Sequence, residues 1–540
     1  MEPYYTKGRS TLGFRLYPTW SLGSSSRLEK VPTSDCATLA SQAELRDPPL
    51  LKFVHSVLKA NGGSPSVISP RRTMIANRTA LTQRKFLVFS VALAAAAVLS
   101  GCQGLVGISQ PAPADNPALD AAVNHIVFMV QENRGFDHYF GHLNAFRVAN
   151  GFPADVDGTP ANASNPAASG SGSVPAFHLL TACVENPSPS WNESHVDFNR
   201  QNPTSNDATL DGFVQTAAKD AQGEHFHDVQ GRRVMGYYDQ TDLPYYYFMA
   251  TFFATSDRWF SPVMTRTQPN RMYLLAATSA GHAYAPAAGS VTVPTIFDEL
   301  QQAGVSWKIY VTDKVNGSLL RGSYISMFAS GKKYSQNVVP VAQYFSDLKN
   351  GTLPQVALIE SGYFSGLDEH PGENPNLPGP SVQVGAAYVS TFINALMGSS
   401  SWAHSAFIWT TDEGGGFYDH VPPQPAVSPD SIPPQDLRPN DICTTSGGGR
   451  TCDFTSTGYR VPMFVVSPYA REGFVSHSVA DTTAILRLIE TRFHLRSLTL
   501  RDANQPDMTE FFDFSHPTWL TPPTPPVQPT TGACYLDHLP

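Results

Sequence analysis

The sequence predicts an α/β fold with a largely parallel central sheet flanked by helices. Continuous apolar runs, typical of strands buried on both faces of a parallel sheet, recur at 125–131, 306–311, 355–360, 406–411 and 462–466. Helical patterns lie between some of these runs or follow the last of them, at 294–303, 384–397 and 482–493. Strands that alternate with helices at such intervals favour one parallel sheet with helices on its faces.

The helical patterns have boundary signals of their own. The first ends immediately before Gly304, a residue that readily adopts the left-handed conformation of a helix C-terminus. The third follows Asp481, which we expect to act as its N-cap. These signals support the alternation of strands and helices on which the fold prediction depends.

Length and composition limit the class of protein. A chain of 540 residues is too long for an ordinary single core, so it holds either several domains or one large domain with insertions. Because the strand and helix patterns continue without a break in character, we expect one large domain over 123–516. Hydrophobic residues make up 41% of the chain, which excludes wholesale disorder, and the net charge of -9 argues against nucleic acid as a partner.

The N-terminal region contains an export signal. Basic residues follow Met74, an apolar stretch occupies 86–99, and Leu99-Ser100-Gly101-Cys102 closes it. That stretch rises only about 21 Å as a helix, less than a bilayer core of about 30 Å. The final tetrapeptide resembles a bacterial lipobox, so we expect a lipoprotein signal peptide over 74–102, a lipid on Cys102 and a linker over 103–122. Residues 1–73 are then a non-native or disordered extension that precedes the true start.

This signal predicts a protein of the bacterial cell envelope, on its periplasmic or surface side, that is anchored to the membrane. Four cysteines follow Cys102, an even number that suits an oxidising compartment. Cys443 and Cys452 flank a glycine-rich loop that could bring their thiols together, which leaves Cys183 with Cys534. A metal site is the alternative, but the spacing lacks paired CxxC motifs.

Oxygen-rich side chains follow two of the predicted strands. Glu132 and Asn133 come after the first run, and Asp412 and Glu413 come after the run at 406–411. Ligands of open α/β sheets bind beyond the carboxyl ends of the strands, so these side chains could meet over one divalent cation. The alternative is that each group is only a polar turn.

A third candidate is Thr267, which we expect to act as the N-cap of a helix with Pro269 in its first turn. The free N–H groups and the dipole at a helix N-terminus favour a phosphate oxygen. Plain capping is the alternative role for this hydroxyl.

Together these elements resemble a known family. The carriers of the resemblance are Glu-Asn-Arg-Gly-Phe-Asp-His-Tyr-Phe-Gly at 132–141, Thr-Gln-Pro-Asn-Arg at 267–271, Asp-Glu-His-Pro at 368–371, Asp-Glu-Gly-Gly-Gly-Phe-Tyr-Asp-His-Val at 412–421 and Arg-Val-Pro-Met-Phe-Val-Val-Ser-Pro-Tyr at 460–469. The ordered set is similar to the bacterial phosphoesterases of the phospholipase C and acid phosphatase type, in the alkaline-phosphatase superfamily. The resemblance implies an alkaline-phosphatase-like α/β fold and a metal-dependent hydrolase of phosphate esters.

The resemblance also implies roles for individual residues. The metal ligands would be Glu132, Asn133, Thr267, Asp412 and Glu413. Thr267 would be the nucleophile, and Asn133 and Asn270 would bind the substrate. A general acid would be sought first in His370, then in His420 and then in His195, which follows Trp191 in a similar loop. The oxygen-rich ligand set suits Ca²⁺, Mg²⁺ or Mn²⁺ better than Zn²⁺.

The chain departs from the family pattern at three places. Gly414 stands where the family has a histidine, Asp481 is followed by Thr482 where the family has Asp-His, and Pro189 replaces a further histidine. The departures at Gly414 and Thr482 motivate an alternative function, a catalytically impaired surface lipoprotein that binds phosphate-bearing ligands.

The substrate is open between a phosphomonoester and a phospholipid. The chain ends in a Pro-rich tail over 517–540 without a further β-rich module, which favours a compact phosphatase-like enzyme. The aromatic residues at 245–248 and 252–253 could face lipid, although such runs are more often part of a core.

Overall fold

An eight-stranded sheet forms the centre of the structure, a computed structural model that describes residues 113–377, 379–444 and 449–539. Its strands in chain order are β1 (His125–Gln131), β2 (Ala254–Ser256), β3 (Trp307–Val311), β4 (Val338–Pro340), β5 (Val356–Glu360), β6 (Ser405–Thr411), β7 (Met463–Val466) and β8 (Phe474–Ser476). The spatial order is β8-β2-β7-β6-β1-β5-β3-β4. Among these strands only β7 runs antiparallel to its neighbours, so the predicted largely parallel sheet is confirmed.

Helices flank this sheet. They are α1 (Pro117–Ala122), α2 (Phe136–Phe140), α3 (Leu143–Ala149), α4 (Trp191–Phe198), α5 (Phe213–Glu224), α6 (Pro244–Phe252), α7 (Thr267–Ala276), α8 (Ile296–Ala303), α9 (Ala329–Lys333), α10 (Ala342–Asn350), α11 (Val382–Met397), α12 (Ala484–Phe493) and α13 (Leu500–Ala503). Short 3₁₀ turns lie at Arg232–Met235, Leu320–Gly322, Tyr324–Met327, Ser335–Asn337, Trp402–His404, Arg450–Cys452 and Thr509–Phe511. The segment between β1 and β3 also carries short paired strands, at Ser164–Pro166 with Ser173–Pro175 and at Phe177–His178 with Gly236–Tyr237. A further pair joins Trp259–Phe260 to Ala480–Asp481.

The five apolar runs are the long strands of the sheet. The first prediction, 125–131, matches β1 to the residue, and the others differ from β3, β5, β6 and β7 by one residue at the start. The central strands β1 and β6 are buried along almost their whole length. This explains why they are continuously apolar rather than alternating.

Of the two predicted helix boundaries, the C-terminus of α8 agrees with the structure and the N-cap of α12 does not. Helix α8 ends at Ala303, and Gly304 follows in the left-handed region with φ of 71°. The prediction that Asp481 is the N-cap of α12 is wrong, because the cap residue is Thr483. The Asp481 carboxylate instead accepts the Thr483 N–H at 2.8 Å, which fixes the turn that enters the helix.

The aromatic run of α6 lies in the core. Tyr245, Tyr246 and Tyr247 are each at most 1% exposed, and Phe253 just beyond the helix is fully buried. The Tyr246 ring packs against Trp409 of β6 with ring centroids 4.2 Å apart. A core role is therefore confirmed for these four residues, whereas Phe248 and Phe252 are half-buried and stack on each other.

The two predicted disulfides are present among the described residues. Cys443 pairs with Cys452, and Cys183 pairs with Cys534 across a sequence separation of 351 residues. The second bond holds the Pro-rich tail against the domain, where the Tyr535 N–H also donates to the Thr181 hydroxyl at 2.9 Å. The cysteines therefore serve as covalent staples, and the alternative of a cysteine metal site is wrong.

The predicted extension (1–73), signal peptide (74–102) and Cys102 lie outside the described residues, as does most of the predicted linker. Within the described part of the chain, no helix combines the length and the apolar character needed to cross a membrane.

Candidate active site

The oxygen-rich ends of β1 and β6 meet side by side. The two strands are adjacent and parallel, with Gln131 opposite Thr411, so the next residues, Glu132 and Asp412, leave the sheet together. The Asp412 N–H donates to the Gln131 carbonyl at 3.1 Å, and the Asn133 N–H donates to the Asp412 carboxylate at 3.0 Å. The structure thus brings together the two clusters that the sequence places at strand ends.

Backbone conformation makes this close approach possible. Asn133 has φ of 59°, in the left-handed region that Asn tolerates better than most residues. Gly415 has φ of 68°, and a Cβ atom there would lie 2.1 Å from the Asn133 carbonyl oxygen. Glycine is therefore required at 415 for the two strand ends to touch.

Thr267 is the first residue of α7, and Arg266 occupies the cap position. The prediction of Thr267 as N-cap is therefore wrong by one residue. Its hydroxyl faces the strand-end cluster, with Oγ1 3.2 Å from Glu132 Oε2 and 3.4 Å from Asn133 Oδ1. Plain capping does not account for a hydroxyl placed among carboxylate and amide oxygens.

Arg271 ties α7 to both strand ends, a role that the motif alone did not reveal. Its Nη2 donates to Glu132 Oε1 at 2.7 Å and its Nε to Asp412 Oδ2 at 3.2 Å, with the guanidinium only 1% exposed. Residues four apart lie on one face of a helix, so the spacing from Thr267 could have indicated this position. Tyr324, whose hydroxyl donates to Glu132 Oε1 at 2.7 Å, comes from a 3₁₀ turn and has no comparable sequence signal.

The three carboxyls of the site have raised pKa values. Burial and the neighbouring Glu132 raise the pKa of Asp412 to about 8, against the opposing charge of Arg271. Burial also raises the pKa of Glu132, and burial together with Asp412 raises the pKa of Glu413 well above its usual range. Three buried carboxyls therefore face one guanidinium, and the site lacks the counter-charge that would let all three ionise.

This charge and the donor set fit a divalent cation. The Glu132 and Asp412 carboxyls share one guanidinium, that of Arg271, so a divalent cation among the site carboxyls would supply the counter-charge that Arg271 alone cannot. The buried Oε1 of Glu413 has no hydrogen-bond donor among the described residues. Together with the Asn133 amide oxygen and the Thr267 hydroxyl, these are hard oxygen donors, which Ca²⁺, Mg²⁺ and Mn²⁺ prefer.

A cavity of about 370 Å³ opens onto this cluster. Glu132, Asn133 and Thr267 line it together with His370. His370 Nδ1 lies 2.7 Å from the Pro371 carbonyl, which can only accept, so Nδ1 carries a proton and chemistry falls to Nε2, which lies 3.8 Å from the Glu373 carboxylate. Of the predicted histidines, His370 is the one that the cavity lining includes.

A buried glutamate holds the loop that carries His370. Glu369 is fully buried with φ of 71°, and its carboxylate accepts hydrogen bonds from the Tyr139 hydroxyl at 2.6 Å and from the Tyr246 hydroxyl. Its carbonyl accepts the Arg134 Nε–H at 2.8 Å. Burial, opposed by these hydrogen bonds, raises the pKa of Glu369 to about 7. These contacts fix the backbone that presents His370 to the cavity.

Three other predicted residues are engaged elsewhere. His195 is fully buried, with its ring nitrogens 2.6 Å from the Trp191 carbonyl and 3.0 Å from the Thr451 carbonyl. His420 Nδ1 lies 2.7 Å from Asp137 in an ion-pair network. Asn270 accepts the Val263 N–H at 3.1 Å and so holds the turn before Thr267. The described cavity lining includes none of these three side chains.

Three tight groups of metal-ligating side chains lie elsewhere among the described residues, at His195–Cys443–Cys452, Asp137–Asp419–His420 and His178–Asp239–Asp242. The cysteines of the first are joined in a disulfide, so they offer no thiolate. The second already contains a guanidinium, since Arg460 pairs with both of its aspartates. Neither of these two groups matches the oxygen cluster at the cavity.

Comparisons with known proteins find phospholipases C among the relatives of this chain. Phospholipase C B of Mycobacterium tuberculosis is 29% identical over 482 residues, which cover 81% of this chain and 86% of that protein. Non-specific phospholipase C1 of Arabidopsis thaliana is 30% identical over 404 residues, which cover 71% of this chain and 70% of that protein.

Among solved structures, a protein of the alkaline phosphatase superfamily from Vibrio parahaemolyticus aligns with a TM-score of 0.30 at 12% identity, covering 68% of this chain and 78% of its own. Structural similarity at this level carries no argument about mechanism. The model of the phosphoesterase family, by contrast, matches residues 123–496. The chain therefore belongs to the phosphoesterase family, as a hydrolase that acts on phosphoric ester bonds.

Proposed function

We propose that this protein is an exported, metal-dependent phosphoesterase that uses Thr267 as its nucleophile and acts on phospholipids. The observation that carries the proposal is the position of the Thr267 hydroxyl, 3.2 Å from Glu132 and 3.4 Å from Asn133 at the base of the cavity. A hydroxyl is a weak nucleophile at its ordinary pKa, and it needs a base, a cation or both. The carboxylates around Thr267 supply the negative oxygens for such activation.

A divalent cation bound by Glu132, Asn133, Thr267, Asp412 and Glu413 would favour the alkoxide of Thr267 and neutralise phosphoryl charge. The protein's own groups would make the other contacts with the phosphoryl oxygens. The N–H groups that begin α7 and the Asn133 side chain face the position of the non-bridging oxygens. Arg266 lines the same cavity, and its buried Nε has no hydrogen-bond acceptor among the described residues, so it is free to bind a phosphoryl oxygen.

His370 is the proposed general acid. Because Nδ1 is committed to the Pro371 carbonyl, a protonated ring directs its second N–H from Nε2. That proton passes to the oxygen of the departing alcohol as its bond to phosphorus breaks, while phosphorus forms a bond to Thr267 Oγ1 and the Thr267 hydroxyl proton passes to the Glu132 carboxylate that accepts it. Water then hydrolyses the phosphothreonine, and the neutral imidazole accepts a proton from that water.

The substrate proposal rests on the relatives, which are named as phospholipases C from bacteria and a plant. Export is supported by the two disulfides, since such bonds persist mainly outside the cytoplasm. The lipid anchor at Cys102 stays a prediction.

The alternative of a binding protein without turnover is less well supported. That alternative is motivated by the departures at Gly414 and Thr482. At Gly414 a Cβ would lie 3.2 Å from the Tyr459 Cβ, so the backbone here is packed for a small residue. The nucleophile, the acidic cluster and a cavity histidine are all in place without an imidazole at this position. A complete set of reacting groups favours an enzyme.

Removal of metal is expected to abolish most of the activity. Dialysis against a chelator should lower the rate of phosphatidylcholine hydrolysis to less than about a tenth of its initial value, because the site loses the cation that favours the Thr267 alkoxide. Adding Mg²⁺, Ca²⁺ or Mn²⁺ should restore it better than Zn²⁺. The measurement is the steady-state rate with each ion, and metal content by mass spectrometry is the control. Full activity in a sample shown to be free of metal would contradict metal dependence.

Replacing His370 should separate substrates by their leaving groups. His370→Ala is expected to lower kcat about 100-fold for an ester of a simple alcohol, because that oxygen departs as an alkoxide unless it is protonated. An aryl ester such as p-nitrophenylphosphocholine, whose leaving group is stable as an anion, should lose far less. His494→Ala, a change at an exposed ring that forms ion pairs with Asp115 and Asp120, is the control. Equal losses on both esters would refute the general-acid role.

A further inference from the structure

An aromatic loop forms part of the cavity mouth. Residues 361–366 follow β5 directly, and Tyr363 and Phe364 line the same cavity as Thr267 and His370. Tyr363 is 38% exposed and Phe364 is 70% exposed. Single exposed apolar side chains are common on proteins, but two adjacent aromatic rings at the entrance of an ester site need a reason.

The loop is held in this position by a buried carboxylate. Asp313, which is 6% exposed, accepts the Phe364 N–H at 2.8 Å and the Ser365 hydroxyl at 2.5 Å. The Tyr363 hydroxyl donates to Glu373 at 2.6 Å, and its ring meets Phe364 edge-on at 5.0 Å. Contacts on both sides of Phe364 thus hold the loop with this ring 70% exposed to solvent.

We propose that this aromatic loop contacts the acylglycerol part of a phospholipid within a lipid surface, while the phosphate of the same molecule reaches Thr267. The inference rests on the proposed phosphoesterase function and adds to it where the acylglycerol leaving group is bound. A phospholipid joins an anionic phosphate to an apolar alcohol, so its site needs cations and apolar contacts side by side. The cavity lining provides both, since Arg266, Arg321 and Phe364 all line it.

Exposure and charge both favour a lipid surface as the partner. Arg321 is exposed at the mouth, where it can meet the phosphates of neighbouring lipids. Aromatic side chains are stable at the boundary between water and acyl chains. A small phosphomonoester would leave Phe364 in water, so it gives no account of the exposed ring.

The test compares vesicles with a dissolved ester. Phe364→Ser is expected to weaken binding to phosphatidylcholine vesicles about tenfold, because a serine recovers none of the burial that a phenyl ring gains at the interface. The ratio of its rates on those vesicles and on dissolved p-nitrophenylphosphocholine should fall by a similar factor. Phe364→Trp should retain binding and the ratio. Leu180→Ser, which changes another apolar residue that is 64% exposed, should retain both as the matched control.

Vesicle binding by co-sedimentation decides the inference whether or not turnover is seen. Equal binding by Phe364→Ser and the unchanged protein would overturn it, as would an equal loss in Leu180→Ser. A wild-type enzyme that hydrolyses only phosphomonoesters and ignores vesicles would also overturn it, while leaving the phosphoesterase function in place. A protein that binds vesicles through Phe364 but hydrolyses neither ester would support the lipid contact of the aromatic loop and contradict the proposed phosphoesterase function.

Discussion

Thr267→Ala is expected to lower kcat for phosphoester hydrolysis about 10⁴-fold or more while the fold is retained. The loss is large because a covalent route disappears with its nucleophile. The cost in stability is small because the hydroxyl contacts only Glu132 and Asn133, at 3.2 and 3.4 Å, and does not cap the helix.

The measurement has a kinetic part and a chemical part. Acid quenching during turnover should trap phosphate on the peptide that contains Thr267, as detected by mass spectrometry, and the alanine variant should lack this adduct. Thr267→Ser, which keeps a hydroxyl, should retain part of the activity. Thr278→Ala is the matched control, since this buried threonine follows the same helix and donates to Asp430 at 2.5 Å. More than about a tenth of the wild-type kcat in Thr267→Ala would refute the nucleophile.

The central sheet could be predicted because its long strands are buried on both faces. A strand such as β1 is apolar at nearly every position, so its sequence carries the signal without help from the rest of the chain. The strands β2, β4 and β8 have three residues each and were missed. So few residues carry no pattern, and their pairing depends on neighbours that are distant in the sequence.

The acidic half of the site was predictable from topology. Side chains that follow parallel strands leave the sheet at one edge, so Glu132 and Asp412 were expected to meet. Tyr324 and Asp313 were not foreseen because they lie outside helices and strands, where no periodicity places a side chain. The sequence also could not show which histidine lines the cavity. An imidazole that binds backbone carbonyls, as His195 does, has the same sequence signal as one in a cavity.

A buried arginine joins the far ends of the two site motifs. Arg460 is fully buried and pairs with Asp137 at 2.9 Å and with Asp419 at 2.7 Å. Asp137 belongs to the motif at 132–141 and Asp419 to the motif at 412–421. Burial raises the pKa of Asp137, but Arg460 and His420 outweigh that effect and hold the pKa below its usual value. The guanidinium thus compensates two buried charges and also donates to the carbonyls of Asp157 and Asp257.

Arg460→Met is therefore expected to destabilise the fold by about 3–5 kcal/mol, since it leaves buried carboxylates without a counter-charge. Arg200→Met is the matched control, because Arg200 and its partner Asp211 are 26% and 23% exposed and their pair, 3.5 Å apart, should be worth about 1 kcal/mol or less. Urea denaturation followed by tryptophan fluorescence measures both changes. Equal losses in the two variants would contradict the buried-charge argument. A larger loss in Arg460→Met would mean that the strand-end motifs depend on a shared ion network as well as on the sheet for their alignment over Thr267.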